Sequence, residues 1–253
     1  MRKRNLLSAV LCVALNERFA VDYNASIDAF ADQLNSEIDE TAFHESSTHL
    51  VSIDYDAWLN GDVLSIVITT KTATDYIEYR VDNFDLKDKE PLTVADMCDE
   101  YLDVDYPVFL KYTSDRILQD FETEYADFAA QYPEEYDFIR KLFLSDMWVI
   151  LNRSLYLNER GTLMLVCDRP SVAGAAFYSS IQEMQVDPAL ISSEAEAWTW
   201  LFDLYLGADQ DNAEYAAEIL RIAYTDEGDD FMEALDQRPR NERDAIKAVI
   251  RSK

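Results

Sequence analysis

The chain has 253 residues, of which 22 are Lys or Arg and 50 are Asp or Glu, so its formal net charge at pH 7 is −28. A charge of that sign repels nucleic acid and anionic membranes, and it either favours a cationic partner or only keeps the protein soluble. With 49% hydrophobic and 12% aromatic residues, the composition is that of a folded protein rather than a disordered one.

Residues 1–20 have the profile of a secretion signal or of a truncated membrane anchor. Arg2, Lys3 and Arg4 precede the short apolar run of residues 6–15, which is too short to span a bilayer as a free helix. We therefore predict an extracytoplasmic protein, secreted or surface-tethered, without an integral membrane span. The alternative, a folded N-terminal helix, leaves a cytoplasmic location open.

The spacing of apolar residues over 27–38 predicts a helix, after which the period changes to that of β-strands. Asn60 and Gly61 lie between two β-rich runs, which is the strongest short signal of a hairpin. Apolar residues continue to alternate on both sides of this turn and again up to Val81. The pattern predicts a three-stranded antiparallel meander that ends near Phe84.

Residues 82–102 are dense in carboxylates and begin like a calcium loop. An EF-hand loop requires Gly at its sixth position and Glu at its twelfth, but this segment has Lys87 and Thr93 there. We therefore predict a strand-to-helix connection that holds no ion. Residues 85–91 would form the turn, and Thr93 would cap a short helix in a capping box with Asp96.

The rest of the chain is predicted to be helical, apart from one further set of strands. The helical period runs from Tyr106 to Gln131 and a second helix starts at Pro133, while residues 154–170 predict a hairpin followed by one more strand. Residues 186–193 are the best domain boundary, and short helices fill 194–253. We predict the α+β class: an antiparallel sheet of hairpins packed with helices, then a small all-α C-terminal region.

The sequence contains no recognisable catalytic or metal-binding motif. His44 and His49 are five residues apart, whereas zinc proteases need their histidines four apart on a helix. The run of acids at 226–230 predicts a solvated turn and helix cap rather than a calcium site. Cys98 and Cys167 form no C-x-x-C pair and are either a disulfide or, as we favour, two buried thiols. We therefore predict no catalytic, cofactor-binding or metal residues and no cofactor.

Three groups of short motifs follow one another along the chain. They are Leu64-Ser65-Ile66, then Asn83-Phe84-Asp85-Leu86 with Leu92-Thr93 and Asp96, then Leu155-Tyr156-Leu157 with Gly161, Leu163 and Pro170. Their order resembles the RsiV-like domain, a domain-of-unknown-function family found in anti-sigma factor ectodomains and cell-wall proteins. The resemblance covers about residues 22–187.

The resemblance implies a module that binds or senses a ligand rather than an enzyme. In RsiV-type anti-sigma factors this domain binds lysozyme, a cationic protein, so the resemblance implies a cationic protein or a cell-wall ligand as partner. Together with the boundary at 186–193, it gives three predicted parts: the signal-like residues 1–20, an RsiV-like domain at 21–187 and a helical region at 194–253, of which the resemblance says nothing. The alternative function is an enzyme that acts on carbohydrate through an unrecognised pair of carboxylates. The oligomeric state stays open.

Overall fold

The computed structural model describes residues 50–72, 77–172, 177–189 and 191–251. The signal-like segment, the predicted helix at 27–38 and both histidines lie outside these ranges. Within the ranges the chain forms a four-stranded sheet, a three-stranded sheet and nine helices, and both sheets are antiparallel. The predicted α+β class is therefore confirmed.

The chain divides into two compact units. The first unit includes the described residues up to Leu92 together with Tyr156–Met164, and the second includes Thr93–Leu155 and everything from Leu165 onward. The first unit is built on the four-stranded sheet, whose strands pair in chain order. These strands are β1 (Leu50–Asn60), β2 (Val63–Thr72), β3 (Ile77–Asp85) and β4 (Glu90–Leu92).

The hairpin predicted at Asn60 and Gly61 is present. Asn60 pairs with Val63 across a two-residue loop, and Gly61 has a φ of 59°. Such a positive φ is the left-handed conformation that a tight hairpin turn needs and that glycine adopts without strain. The local turn chemistry therefore determines the register of β1 against β2.

The connection after β3 differs in one respect from the prediction. Its turn is shorter than 85–91, because the strand β4 (Glu90–Leu92) pairs back onto β3, with Asn83 opposite Leu92. Three residues are too few to show an alternating pattern, so the sequence could not reveal this strand. The capping box is confirmed: Asp96 N donates to Thr93 Oγ1 at 3.1 Å, and Thr93 N donates to Asp96 Oδ2 at 2.6 Å.

A buried polar network ties a distant stretch of the chain to the four-stranded sheet. Ser65 Oγ donates to Asn83 Oδ1 at 2.7 Å, and the Leu157 backbone N–H donates to Ser65 Oγ at 3.1 Å. Trp58 and Tyr156 stack with ring centroids 5.3 Å apart. Because buried polar groups need partners, these contacts make residues 156–164 part of the first unit. The apolar cluster beside them contains Leu64, Ile66, Ile68 and Phe84.

The second unit is mainly helical. Its helices are α1 (Val94–Leu102), α2 (Tyr106–Glu124), α3 (Ala126–Gln131), α4 (Pro133–Ser145), α5 (Met147–Leu151), α6 (Glu194–Gly207), α7 (Ala213–Asp226), α8 (Gly228–Asp236) and α9 (Arg240–Arg251). The three-stranded sheet consists of β5 (Ser154–Leu157), β6 (Leu163–Pro170) and β7 (Phe177–Glu183), and the last two residues of β5 and the first two of β6 belong to the first unit. The five residues of α5 are too few for a helical period, and the sequence did not predict this helix.

Helices on both sides of the predicted boundary at 186–193 share one core. Helix α6 packs against α2, and α7 packs against α1 and α2. The centre of the C-terminal helices is aromatic, because the fully buried Phe231 ring meets those of Trp198, Phe202 and Tyr224 at centroid distances of 5.3–5.5 Å. The boundary therefore lies inside the second unit.

Arg153 is a buried cation in the second unit, 1% exposed. Its Nη1 donates to Leu110 O at 2.7 Å, Thr113 Oγ1 at 2.8 Å and Ser114 Oγ at 2.6 Å, whereas its Nε and Nη2 have no hydrogen-bond partner. Burial lowers the pKa of this guanidinium to about 10, so it stays charged at neutral pH. The three bonds anchor the start of β5 to one turn of α2.

Cys98 and Cys167 are free, buried thiols rather than a disulfide. Burial raises the pKa of both thiols, so neither is a thiolate at neutral pH. This agrees with the favoured prediction that they serve as small apolar residues of the core.

Candidate functional site

Seven carboxylates from separate parts of the sequence form one acidic cluster in the second unit. Its members come from α1, the residue before α2, the start of α6 and the junction of α7 with α8. We call this group the acidic cluster, and its residues are Asp96, Asp99, Asp105, Glu194, Asp226, Glu227 and Asp230. The helices carry these groups together because α7 packs against both α1 and α8.

Three carboxylates of the acidic cluster have raised pKa values, because of partial burial first and of repulsion by other members second. Partial burial and then Glu194, Asp230 and Asp99 raise the pKa of Asp105. The pKa of Asp226 is also raised, by partial burial and then by the neighbouring aspartates of the cluster. Partial burial, followed by other members of the cluster, raises the pKa of Glu227 from its usual 4.5 to about 7. The second cause of each shift, repulsion among the acids, is the part that reflects negative potential at this surface.

The raised pKa of Glu227 predicts that stability depends on pH. Since the folded-state pKa of about 7 exceeds the usual 4.5, the contribution of Glu227 to stability is fully present below about pH 4.5 and is lost as pH rises through about 7. We therefore expect Glu227→Gln to be more stable than the wild type at pH 8, with the difference disappearing by pH 4.5. Urea unfolding at pH 8 and pH 4.5 measures the difference in unfolding free energy between the variant and the wild type.

The matched control for this prediction is Glu135→Gln, which removes an exposed carboxylate from the first turn of α4. It should show no gain in stability at pH 8. A Glu227→Gln variant with the same unfolding free energy relative to wild type at both pH values would contradict the expected linkage.

An apolar groove of about 300 Å³ lies at the other end of α6, in the same unit. Its walls come from the end of α4, the start of α5, the last two turns of α6 and the loop to α7. The lining residues are Leu144, Ser145, Met147, Trp200, Asp203, Leu204, Gly207, Ala208, Asp209 and Asn212. Most of them are apolar, so the groove offers a place for an apolar group and a few polar contacts at its rim.

Hydrogen bonds from one asparagine hold the walls of the groove together. Asn212 Oδ1 accepts from the Met147 backbone N–H at 3.0 Å, which joins α5 to the loop before α7. Asn212 in turn donates from its backbone N at 3.0 Å and from Nδ2 at 2.9 Å to Asp209 Oδ1. Asp203, which also lines the groove, forms an ion pair with Arg238. The groove is therefore framed by ordered side chains.

The segments that build the groove are free of basic residues. Residues 142–152 and 194–220 contain acids but no Lys or Arg. Trp148 on α5 and Tyr215 on α7 are 43% and 36% exposed, and their rings meet edge to face at 5.4 Å. Exposed aromatic faces attract Lys and Arg side chains. The surroundings of the groove thus favour cationic over anionic ligands.

The structure gives separate roles to the motifs that the sequence emphasised. Trp198 is buried in the aromatic core, whereas Trp200, two residues later, lines the groove. Of the predicted turn and cap at 226–230, only Glu227 lies between α7 and α8, and its side chain makes no capping hydrogen bond; residues 226–230 also contribute three members of the acidic cluster. Sequence reasoning missed both the acidic cluster and the groove, because their residues are scattered between positions 96 and 230.

In the part of the chain that the structure describes, no group of three or more His, Cys, Asp or Glu residues could hold a metal ion. Among the same residues, no helix is both long enough and apolar enough to cross a membrane. The comparisons with known proteins add no family assignment: no protein-family model matches the chain, and no curated protein is similar to it.

Proposed function

We propose that this protein is an extracytoplasmic binding module that recognises a cationic protein through its acidic surface. The acidic cluster is the observation that supports the proposal most directly. Its carboxylates lie together although burial, and after it their mutual repulsion, raises the pKa values of Asp105, Asp226 and Glu227. A cationic partner would relieve that repulsion on binding, which makes the partner's charge a source of affinity and of fast association.

Two features of the sequence support the rest of the proposal. The signal-like profile of residues 1–20 supports an extracytoplasmic location. The resemblance to the RsiV-like domain supports binding rather than catalysis, and it makes lysozyme a reasonable cationic probe. The net charge of −28 adds long-range attraction for any such partner.

The test is surface-plasmon binding of the full chain to lysozyme and to a neutral protein of similar size, over a salt series. Exposed charges are screened beyond about 8 Å at physiological ionic strength, so added salt should slow association strongly and change dissociation less. We expect measurable binding to lysozyme only. Equal affinity for both proteins, or none for either, would contradict the proposal and leave solubility as the role of the charge.

A pair of triple variants separates local from overall charge. Asp99→Asn, Glu227→Gln and Asp230→Asn together remove three charges from the acidic cluster. Glu134→Gln, Glu135→Gln and Asp137→Asn together remove three exposed charges from α4. We expect the first variant to slow association with lysozyme several-fold more than the second. Equal slowing would mean that net charge alone, and not the acidic cluster, attracts the partner.

A further inference from the structure

We propose that the groove at the end of α6 receives one large apolar side chain of the cationic partner, with Lys or Arg on either side of it in the partner's sequence. The inference rests on the proposed function, since it names the site that would recognise the partner at close range. The acidic cluster, at the start of the same helix, would supply the long-range attraction, and the groove would supply the selectivity.

The size and lining of the groove favour a single side chain as its occupant. A volume of about 300 Å³ is at the lower end of the range for ligand pockets, which is about 300–1,000 Å³. Leu144, Met147, Trp200 and Leu204 provide its apolar walls. Gly207 leaves space at the rim, because a Cβ atom added there would have no atom of another part of the chain within 4 Å. One aromatic or large aliphatic side chain fits this description better than a cofactor does.

Charge complementarity indicates that the flanking residues of the partner are basic. Asp209 is exposed at the rim and lies in a loop that also carries Asp211. Asp203 also lines the groove and forms an ion pair with Arg238. The exposed rings of Trp148 and Tyr215 lie on α5 and α7, the same elements that Asn212 joins, and they offer faces for a guanidinium.

The experiment compares two short synthetic peptides in calorimetric titration with the full chain. Both carry arginine and lysine on each side of the central position, which is phenylalanine in one peptide and serine in the other. Because charge is the same, the difference in affinity measures burial of the apolar side chain alone. We expect the phenylalanine peptide to bind about tenfold more tightly, equivalent to about 1.4 kcal/mol. A third peptide replaces the basic residues with glutamate and should not bind.

Two matched variants locate the binding. Gly207→Phe places an aromatic ring at a residue that lines the groove, to compete with the peptide's side chain, and the backbone there has no left-handed φ that would strain it. Thr199→Phe adds the same ring at an exposed position of the same helix that does not line the groove. We expect Gly207→Phe to abolish the tenfold difference between the peptides, and Thr199→Phe to retain it. Circular dichroism confirms that both variants are folded.

Each contrary result has a distinct meaning. The inference is wrong if the two basic peptides bind the wild type equally, or if Gly207→Phe keeps the difference in affinity between them. In either case the groove does not receive the side chain, while the proposed binding of a cationic protein is not contradicted. If the glutamate peptide binds as tightly as the basic one, the occupant is not cationic and the inference is also wrong. If no peptide binds and lysozyme does not bind either, the proposed function fails together with it.

Discussion

Replacing Phe231 with alanine is expected to lower the free energy of unfolding by about 3–5 kcal/mol. The side chain is fully buried in α8, and its ring is surrounded by those of Trp198, Phe202 and Tyr224 at centroid distances of 5.3–5.5 Å. The substitution removes the buried apolar area and leaves a cavity that rigid aromatic neighbours cannot fill. Urea unfolding followed by tryptophan fluorescence and circular dichroism measures the loss.

The control is Phe138→Ala, which removes a phenylalanine that is 66% exposed on α4. A surface substitution of this kind should change stability by no more than about 0.5 kcal/mol. If the two variants lose the same free energy, then the aromatic cluster around Phe231 does not hold the C-terminal helices together.

The second large effect is expected at Arg153, where two substitutions should give different results. Arg153→Ala should cost about 3–5 kcal/mol, because it leaves a cavity and removes three hydrogen bonds. Arg153→Met should cost only about 1–2 kcal/mol. Methionine fills the volume of the stem, and it removes a buried charge whose desolvation costs several kcal/mol and whose Nε and Nη2 have no partner. Urea denaturation of each variant provides the comparison.

The control for Arg153 is Arg140→Ala, which breaks an exposed ion pair with Glu122. Such pairs contribute about 0–1 kcal/mol. A methionine variant as unstable as the alanine variant would show that the three hydrogen bonds of Nη1 outweigh the cost of burying the charge. In that case, the guanidinium itself, rather than its volume, stabilises the junction between β5 and α2.

Local chemistry explains which parts of the fold could be predicted. The turn at Asn60 and Gly61, the capping box of Thr93 and Asp96, and the long apolar period of α2 each depend on residues close in sequence. The strand β4 and the helix α5 are too short to show a period, and they form because neighbouring elements pair with them or pack on them. The residues that belong to each compact unit could not be predicted from local sequence either, because they depend on contacts between distant residues such as Ser65 and Leu157.

Even less of the candidate site could be predicted from local sequence. The acids of the acidic cluster lie on α1, on the residue before α2 and on α6, α7 and α8, and in a chain with 50 acids no single one of them is distinctive. Only the packing of α7 against α1 and α8 brings them together. The groove likewise requires the ends of three helices and a loop. A sequence period can indicate that a helix buries one face, but it does not tell which other helix covers that face.

The inclusion of Tyr156–Met164 in the first unit has a consequence during synthesis on the ribosome. The strands β1 to β4 are complete when Leu92 has been made, and hairpins form within about 1–10 μs. Leu157, which donates to Ser65, follows 65 residues after Leu92 (157 − 92), which takes roughly 3–13 s at typical elongation rates of about 5–20 residues per second. During those seconds the nascent four-stranded sheet lacks residues 156–164. Nascent chains on neighbouring ribosomes of one messenger RNA can then associate through their exposed sheets. The strong negative charge that emerges with each chain would keep them apart.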